Sequence, residues 1–144
     1  MIAIDTNILV YAHRPHFEAH APCRAAIEAL VRSGERFALP WPCLHEFIAV
    51  VTNGRAFASP TSVDEAVAFV DDFAALPHCQ FLGETPRHLG VLSDLMRAPG
   101  ITGPRVHDAR IAAICLSHGV SELWTADRDF SYFPRLRTRN PVVA

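Results

Sequence analysis

Short unbroken apolar runs alternate along this chain with longer stretches in which apolar residues return every three or four positions. These are the two rhythms of buried strands and amphipathic helices. Ile2-Ala3-Ile4 is the first run, and it leads directly into Asp5-Thr6-Asn7, a polar break of good helix-capping residues. The spacing then predicts a helix over 21–32, with Cys23, Ala26, Ile27, Leu30 and Val31 on one face and Ser33-Gly34 as its stop. Phe37-Ala38-Leu39 is a second strand, and Pro42 suits the first turn of a helix reaching Asn53-Gly54. Leu44, Phe47, Ile48 and Val51 form the stripe of that helix, which sets Glu46 as an acid on an apolar surface.

Residues 55–61 read as a loop, and Ser62-Val63-Asp64-Glu65 as a capping box opening a helix with Val63, Ala66, Val67, Phe69, Val70 and Phe73 inward. Gln80-Phe81-Leu82 is a third strand. Thr85-Pro86 reads as a cap and first helical residue, predicting a helix to Ala98 that buries Leu89, Leu92, Leu95 and Met96. After the turn-rich stretch 99–105, Val106-His107-Asp108 opens a helix through His118 whose interior, 111–116, is apolar almost all round and therefore buried. Glu122-Leu123-Trp124-Thr125 is a strand ending in Ala126-Asp127-Arg128-Asp129-Phe130, and the tail carrying Arg135, Arg137 and Arg139 holds a last edge strand. Strands alternating with helices predict a three-layer α/β/α sandwich around a short, mainly parallel sheet, as one domain spanning 1–144.

Composition narrows this picture. Half of the 144 residues are apolar and 19% are charged, which excludes a disordered chain. The net charge of −2 gives no overall basic signature of a nucleic-acid binder, yet all 13 basic residues are Arg, the better fork for phosphate. Cys23, Cys43, Cys79 and Cys115 show no paired spacing and read as reduced core residues. His13, His16 and His20 cluster too loosely for a metal role. No apolar run is long enough to span a bilayer, and the N-terminus lacks the pattern of a signal peptide, so a cytoplasmic location is expected.

The acids carry the candidate chemistry. Asp5 and Asp127 follow apolar strands and Asp108 opens the buried helix; strand ends and helix starts of a parallel sheet share one edge. Glu46 adds a fourth carboxylate from the helix after the second strand. Two of them also have a plain reading, Asp5 as an N-cap and Glu46 as an exposed helical acid. Together, four anions at one edge repel unless protons or divalent cations offset them, and an oxygen-only set suits Mg²⁺ or Mn²⁺ rather than zinc. Thr6, Asn7 and Thr125 sit beside the acids and are placed to orient them. Such a site serves phosphodiester hydrolysis by metal-activated water, with Arg105, Arg110 and Arg128 as candidate holders of substrate phosphates. His107 reads as a solvated loop residue.

The opening Ile4-Asp5-Thr6-Asn7-Ile8-Leu9-Val10-Tyr11, the mid-chain Glu46, the segment His107-Asp108-Ala109-Arg110-Ile111-Ala112-Ala113 and the closing Thr125-Ala126-Asp127-Arg128-Asp129-Phe130 resemble the PIN-domain ribonucleases. The similarity is greatest to the VapC-type toxins of bacterial toxin–antitoxin pairs, and it runs through the chain in order. It implies a Mg²⁺- or Mn²⁺-dependent endoribonuclease with Asp5, Glu46, Asp108 and Asp127 as its acids and Asp129 as a turn or supporting acid. It also implies an RNA substrate, a homodimer, and a cognate antitoxin whose tail covers the active-site groove. Three other readings compete: a PIN nuclease of RNA processing, a non-catalytic RNA- or protein-binding module of this kind, and an aspartyl-nucleophile phosphatase. The phosphatase would want an acid where Asn7 stands.

Overall fold

In the computed structural model, which describes residues 1–143, the elements run β1 (Ile2–Ile4), α1 (Thr6–His13), α2 (His20–Ser33), β2 (Phe37–Pro40), α3 (Trp41–Val51) and α4 (Val63–Ala74). They continue as β3 (Cys79–Leu82), α5 (His88–Met96), α6 (Arg105–Ser117), β4 (Glu122–Trp124), a 3-10 turn (Arg128–Tyr132) and β5 (Thr138–Arg139). The five strands form one sheet in the order β3-β2-β1-β4-β5, and every pairing is parallel. β1 is therefore central, and the strand order reverses beside it. The crevice outside the carboxyl ends at such a reversal is where an open α/β sheet places ligands.

Alternation along the strands divides the interior in two. Ala3, Ala38 and Leu123 face a cluster built with α5 and α6, including Leu95, Ala109, Ala112 and Ile114. Ile4, Phe37, Leu39 and Trp124 face a second cluster built with α1 to α4, including Ile8, Leu9, Phe47 and Phe73. Neighbouring residues pointing to opposite faces give the three-layer arrangement expected from the sequence. The α6 side is lined by small residues, Ala3 and Ala38 on the sheet against Ala109, Ala112 and Ala113 on the helix, all at 0% exposure. Small residues on both partners let a helix that is apolar all round lie close over the sheet centre.

Several elements depart from the sequence pattern. Pro40 belongs to β2, and α3 begins at Trp41, so Pro42 occupies its first turn as expected. α5 begins at His88 rather than Pro86: Thr85 folds a tight turn instead, its hydroxyl accepting from Arg87 N at 3.3 Å and its carbonyl from His88 N at 2.9 Å. Leu89 (75% exposed) and Met96 then face outward, and Leu95 is the buried residue of that helix. On α4, Val63 and Val67 are likewise exposed, and Ala66, Phe69, Val70 and Phe73 make the inward contacts. A one-sided stripe reads the same whether it meets a core or an unpartnered surface.

The Ser62 cap is present, its hydroxyl accepting from Glu65 N at 3.1 Å. Ser62→Ala should lower stability by about 1 kcal/mol, a drop in Tm of about 3 °C by thermal denaturation.

Candidate active site

Asp5 begins where β1 ends. Its amide donates to Trp124 O of β4 at 2.9 Å, so the backbone hydrogen bonding of the sheet fixes where its side chain starts. The carboxylate is 4% exposed and is held on both oxygens. Oδ1 accepts from Thr6 N at 2.8 Å and from Cys43 Sγ at 3.5 Å; Oδ2 accepts from Thr125 Oγ1 at 2.7 Å and from Asn7 Nδ2 at 3.2 Å. The Asp5 carboxylate caps α1, one of the two readings of this residue, and it also lines the cleft. Burial raises its pKa, and the donated hydrogen bonds from Thr125, Thr6 and Cys43 hold that rise in check.

Thr125 saturates its hydroxyl around this acid. It donates to Asp5 and accepts from Asp127 N at 3.0 Å and Asn7 Nδ2 at 3.3 Å. Asn7 completes the tie between the ends of β1 and β4 by accepting from Ala126 N at 3.1 Å. Both ends of the Asn7 amide are consequently engaged, and no second carboxylate stands at the position an aspartyl-nucleophile phosphatase requires. Thr125→Val should strand several buried polar partners and cost about 1–3 kcal/mol by chemical denaturation, whereas Thr125→Ser should recover most of it.

Across the cleft, α3 presents Glu46 on an exposed turn, where Oε2 accepts from Thr6 Oγ1 at 3.1 Å. α6 presents Asp108 as its fourth residue, because the helix begins at Arg105 rather than at Val106. Its position in the first turn still favours the ionised form through the helix dipole. The 3-10 turn after β4 is capped by Asp127, whose Oδ1 accepts from Asp129 N at 2.8 Å. That turn folds the Asp129 carboxylate back, so that oxygens of Asp108, Asp127 and Asp129 lie within 4.8 Å of one another. Asp129 thus sits in the turn, as one of its two readings had it, and its carboxylate lies beside those of Asp108 and Asp127. Asp5, Glu46, Asp108 and Asp127, with Thr6, Asn7, Tyr11 and Phe17, line a cleft of about 290 Å³.

Electrostatics records the same convergence. Asp108 is pushed up from 3.8 to about 6, first by burial and then by repulsion from Asp127, Asp5, Asp129 and Glu46. Among the described residues, none of these five acids is paired with Arg or His in an ion pair. Oxygen donors alone, clustered and without a side-chain cation, fit a hard divalent ion such as Mg²⁺ or Mn²⁺.

The arginines divide differently from the sequence expectation. Arg110 spends its guanidinium on Glu84, with Nη2 at 2.6 Å and Nε at 2.7 Å from Oε1. Arg105 lies 4.0 Å over the Tyr132 ring and donates to Gly100 O at 3.3 Å. Arg128 stays exposed beside Asp127 and Asp129. The sequence reading missed Cys43 as a partner of Asp5. Its place three residues before Glu46, on one helical face with that acid, was the available signal.

A family model described as PIN domain matches residues 2–136. The chain is 39% identical over 142 residues to Ribonuclease VapC43 of Mycobacterium tuberculosis, covering 99% of this chain and 96% of that protein. It is 33% identical over 143 residues to Ribonuclease VapC31 of the same species, covering 99% and 100%. In fold it is similar to a crystal structure of VapBC2 from Rickettsia felis bound to a promoter DNA fragment, at a TM-score of 0.68 and 21% identity over 97% of this chain and 98% of that one.

Proposed function

Because the chain belongs to the PIN-domain family and groups there with the VapC ribonucleases, we propose that it is a Mg²⁺- or Mn²⁺-dependent endoribonuclease acting as the toxin of a toxin–antitoxin pair. The observation that carries this reading is the gathering of five carboxylates, free of side-chain cations, at the carboxyl edge of the sheet. Asp5, Glu46, Asp108 and Asp127 are the proposed catalytic acids and ion ligands, and Asp129 joins them by its position in the cluster.

A divalent ion held there would lower the pKa of a water and screen charge building on the phosphorus and the leaving oxygen. The protein's own contribution is positional. Thr125, Asn7, Thr6 and Cys43 fix the orientation of Asp5 before substrate arrives, and Thr6 does the same for Glu46. Arg128, exposed next in sequence to Asp127, is free to meet a phosphate, whereas Arg105 and Arg110 are engaged with Tyr132 and Glu84.

A cognate antitoxin covering the cleft and a homodimer complete the proposal. The toxin–antitoxin fold neighbour and the exposed apolar residues Val63, Val67 and Leu89 support assembly with other chains. No helix among the described residues is long and apolar enough to cross a membrane. Mapping of RNA 5′ ends after induced expression should reveal new, sequence-restricted ends that vanish when an Asp5→Asn variant is induced. An unchanged pattern of ends on induction of the native chain would contradict the ribonuclease reading.

A further inference from the structure

A second groove, of about 600 Å³, continues from the acidic cleft between α3 and α6. The two cavities share Glu46, Asp108 and Ile111, so they adjoin at the acids. His45 and Pro42 form its α3 wall, and His107 and Arg110 belong to its α6 wall.

Against His45, and outside the groove's own lining, stands an aromatic platform. Trp41, 42% exposed, packs its ring edge-to-face on Phe81, with centroids 5.2 Å apart and planes at 85°. It also lies tilted against His45, at 5.7 Å and 34°. The Phe81 contact fixes the Trp41 ring from within while part of its surface stays open, and His45 extends that surface into the groove. The cationic side is weak here, because the Arg110 guanidinium is held by Glu84. A fixed, exposed indole beside a largely apolar groove with little free positive charge suits the stacking of an unpaired base better than phosphate capture.

We propose that Trp41 and His45 form a stacking subsite for a base of single-stranded RNA flanking the scissile phosphate, a specificity element for the reaction. This rests on the ribonuclease reading above. Removal of a stacking aromatic lowers affinity while leaving the salt dependence of binding unchanged, since no phosphate contact is lost.

The test uses intrinsic fluorescence. Trp41 and Trp124 are the two tryptophans, and Trp124 is 6% exposed with its indole N–H donated to Glu122, so Trp124→Phe leaves Trp41 as the reporter. In EDTA, a randomised single-stranded RNA oligonucleotide should quench that emission. Trp41→Ala should weaken its binding by about tenfold at unchanged salt slope, and Trp41→Phe should retain most of the affinity. If Trp41→Ala disturbs the fold by circular dichroism, His45→Ala, on the exposed rim, provides the same comparison.

RNA that binds without quenching and with equal affinity for the variants overturns the subsite and leaves the ribonuclease reading standing. RNA that binds none of the proteins, and is not cleaved with Mg²⁺ or Mn²⁺, overturns both. A loss of affinity for a co-expressed antitoxin, with RNA affinity unchanged, reassigns the platform to a protein partner and overturns the subsite.

Discussion

Asp5→Asn should lower RNA cleavage by a factor on the order of 10³ while the protein stays folded. Asparagine keeps the volume and one acceptor oxygen, so the cap on Thr6 N at 2.8 Å can persist and the cavity cost of truncation is avoided. What is lost is the negative charge at the one acid that is almost fully buried, 4% exposed, and held on both oxygens by four donors. Pre-oriented charge in a shielded site contributes most to stabilising a transition state. Circular dichroism and thermal denaturation check the fold, and a cleavage time course checks the rate. Near-native cleavage by Asp5→Asn would remove this residue from the catalytic set.

The second large effect links pH, stability and ion binding through Asp108. In the folded protein this carboxyl titrates near 6 against an ordinary value of 3.8, so the native state binds its proton more tightly than the unfolded chain does. The stability of the ion-free protein should therefore fall as pH rises from about 4 to about 6 and level off above. The upward shift of Asp5 has the same sign and adds to it. Because Asp108 is only half-buried, solvent screening reduces the linkage, and about 1 kcal/mol is a reasonable scale.

Asp108→Asn should then raise the Tm of the ion-free protein by about 3 °C near neutral pH, with little change near pH 4, while cleavage is lost. Added Mg²⁺ or Mn²⁺ should stabilise the native protein by about 2.7 kcal/mol at a hundredfold excess over its Kd, and by less below pH 6, where protons compete. A variant that is less stable at every pH would show Asp108 to be an ordinary structural acid.

The parts of this fold that could be read from the sequence are those with local causes. Ile2-Ala3-Ile4 followed by Asp5 announces a central strand and its carboxyl end, and the unrelieved apolar run of α6 announces a buried helix. The Ser62 cap is legible for the same reason, as its partner lies three residues away. Where partners are distant the signal fails. Nothing near Arg110 in sequence signals its ion pair with Glu84, 26 positions earlier. Leu89 looks like core until α5 is seen to begin later and to turn that face to solvent. Asp129 looks peripheral because a 3-10 turn, whose reversal of direction has no hydrophobic period, brings it back to Asp108.

The candidate site follows the same division. Three of its acids sit at strand ends or helix starts, which the alternation of elements locates, and Glu46 is found as a polar interruption on an apolar helix face. The hydrogen bonds that hold them span the chain. Thr125 reaches Asp5 across 120 positions and Cys43 across 38, distances over which residue type alone carries no information.

The central claim is that the clustered acids make an ion-dependent RNA-cleaving centre, and cleavage of RNA by the purified chain with and without divalent ions tests it most directly. Cleavage with Mg²⁺ or Mn²⁺ that stops in EDTA, returns when the ion is restored and is absent from Asp5→Asn is the predicted result. Cleavage that continues in EDTA, or that Asp5→Asn performs equally well, would contradict it.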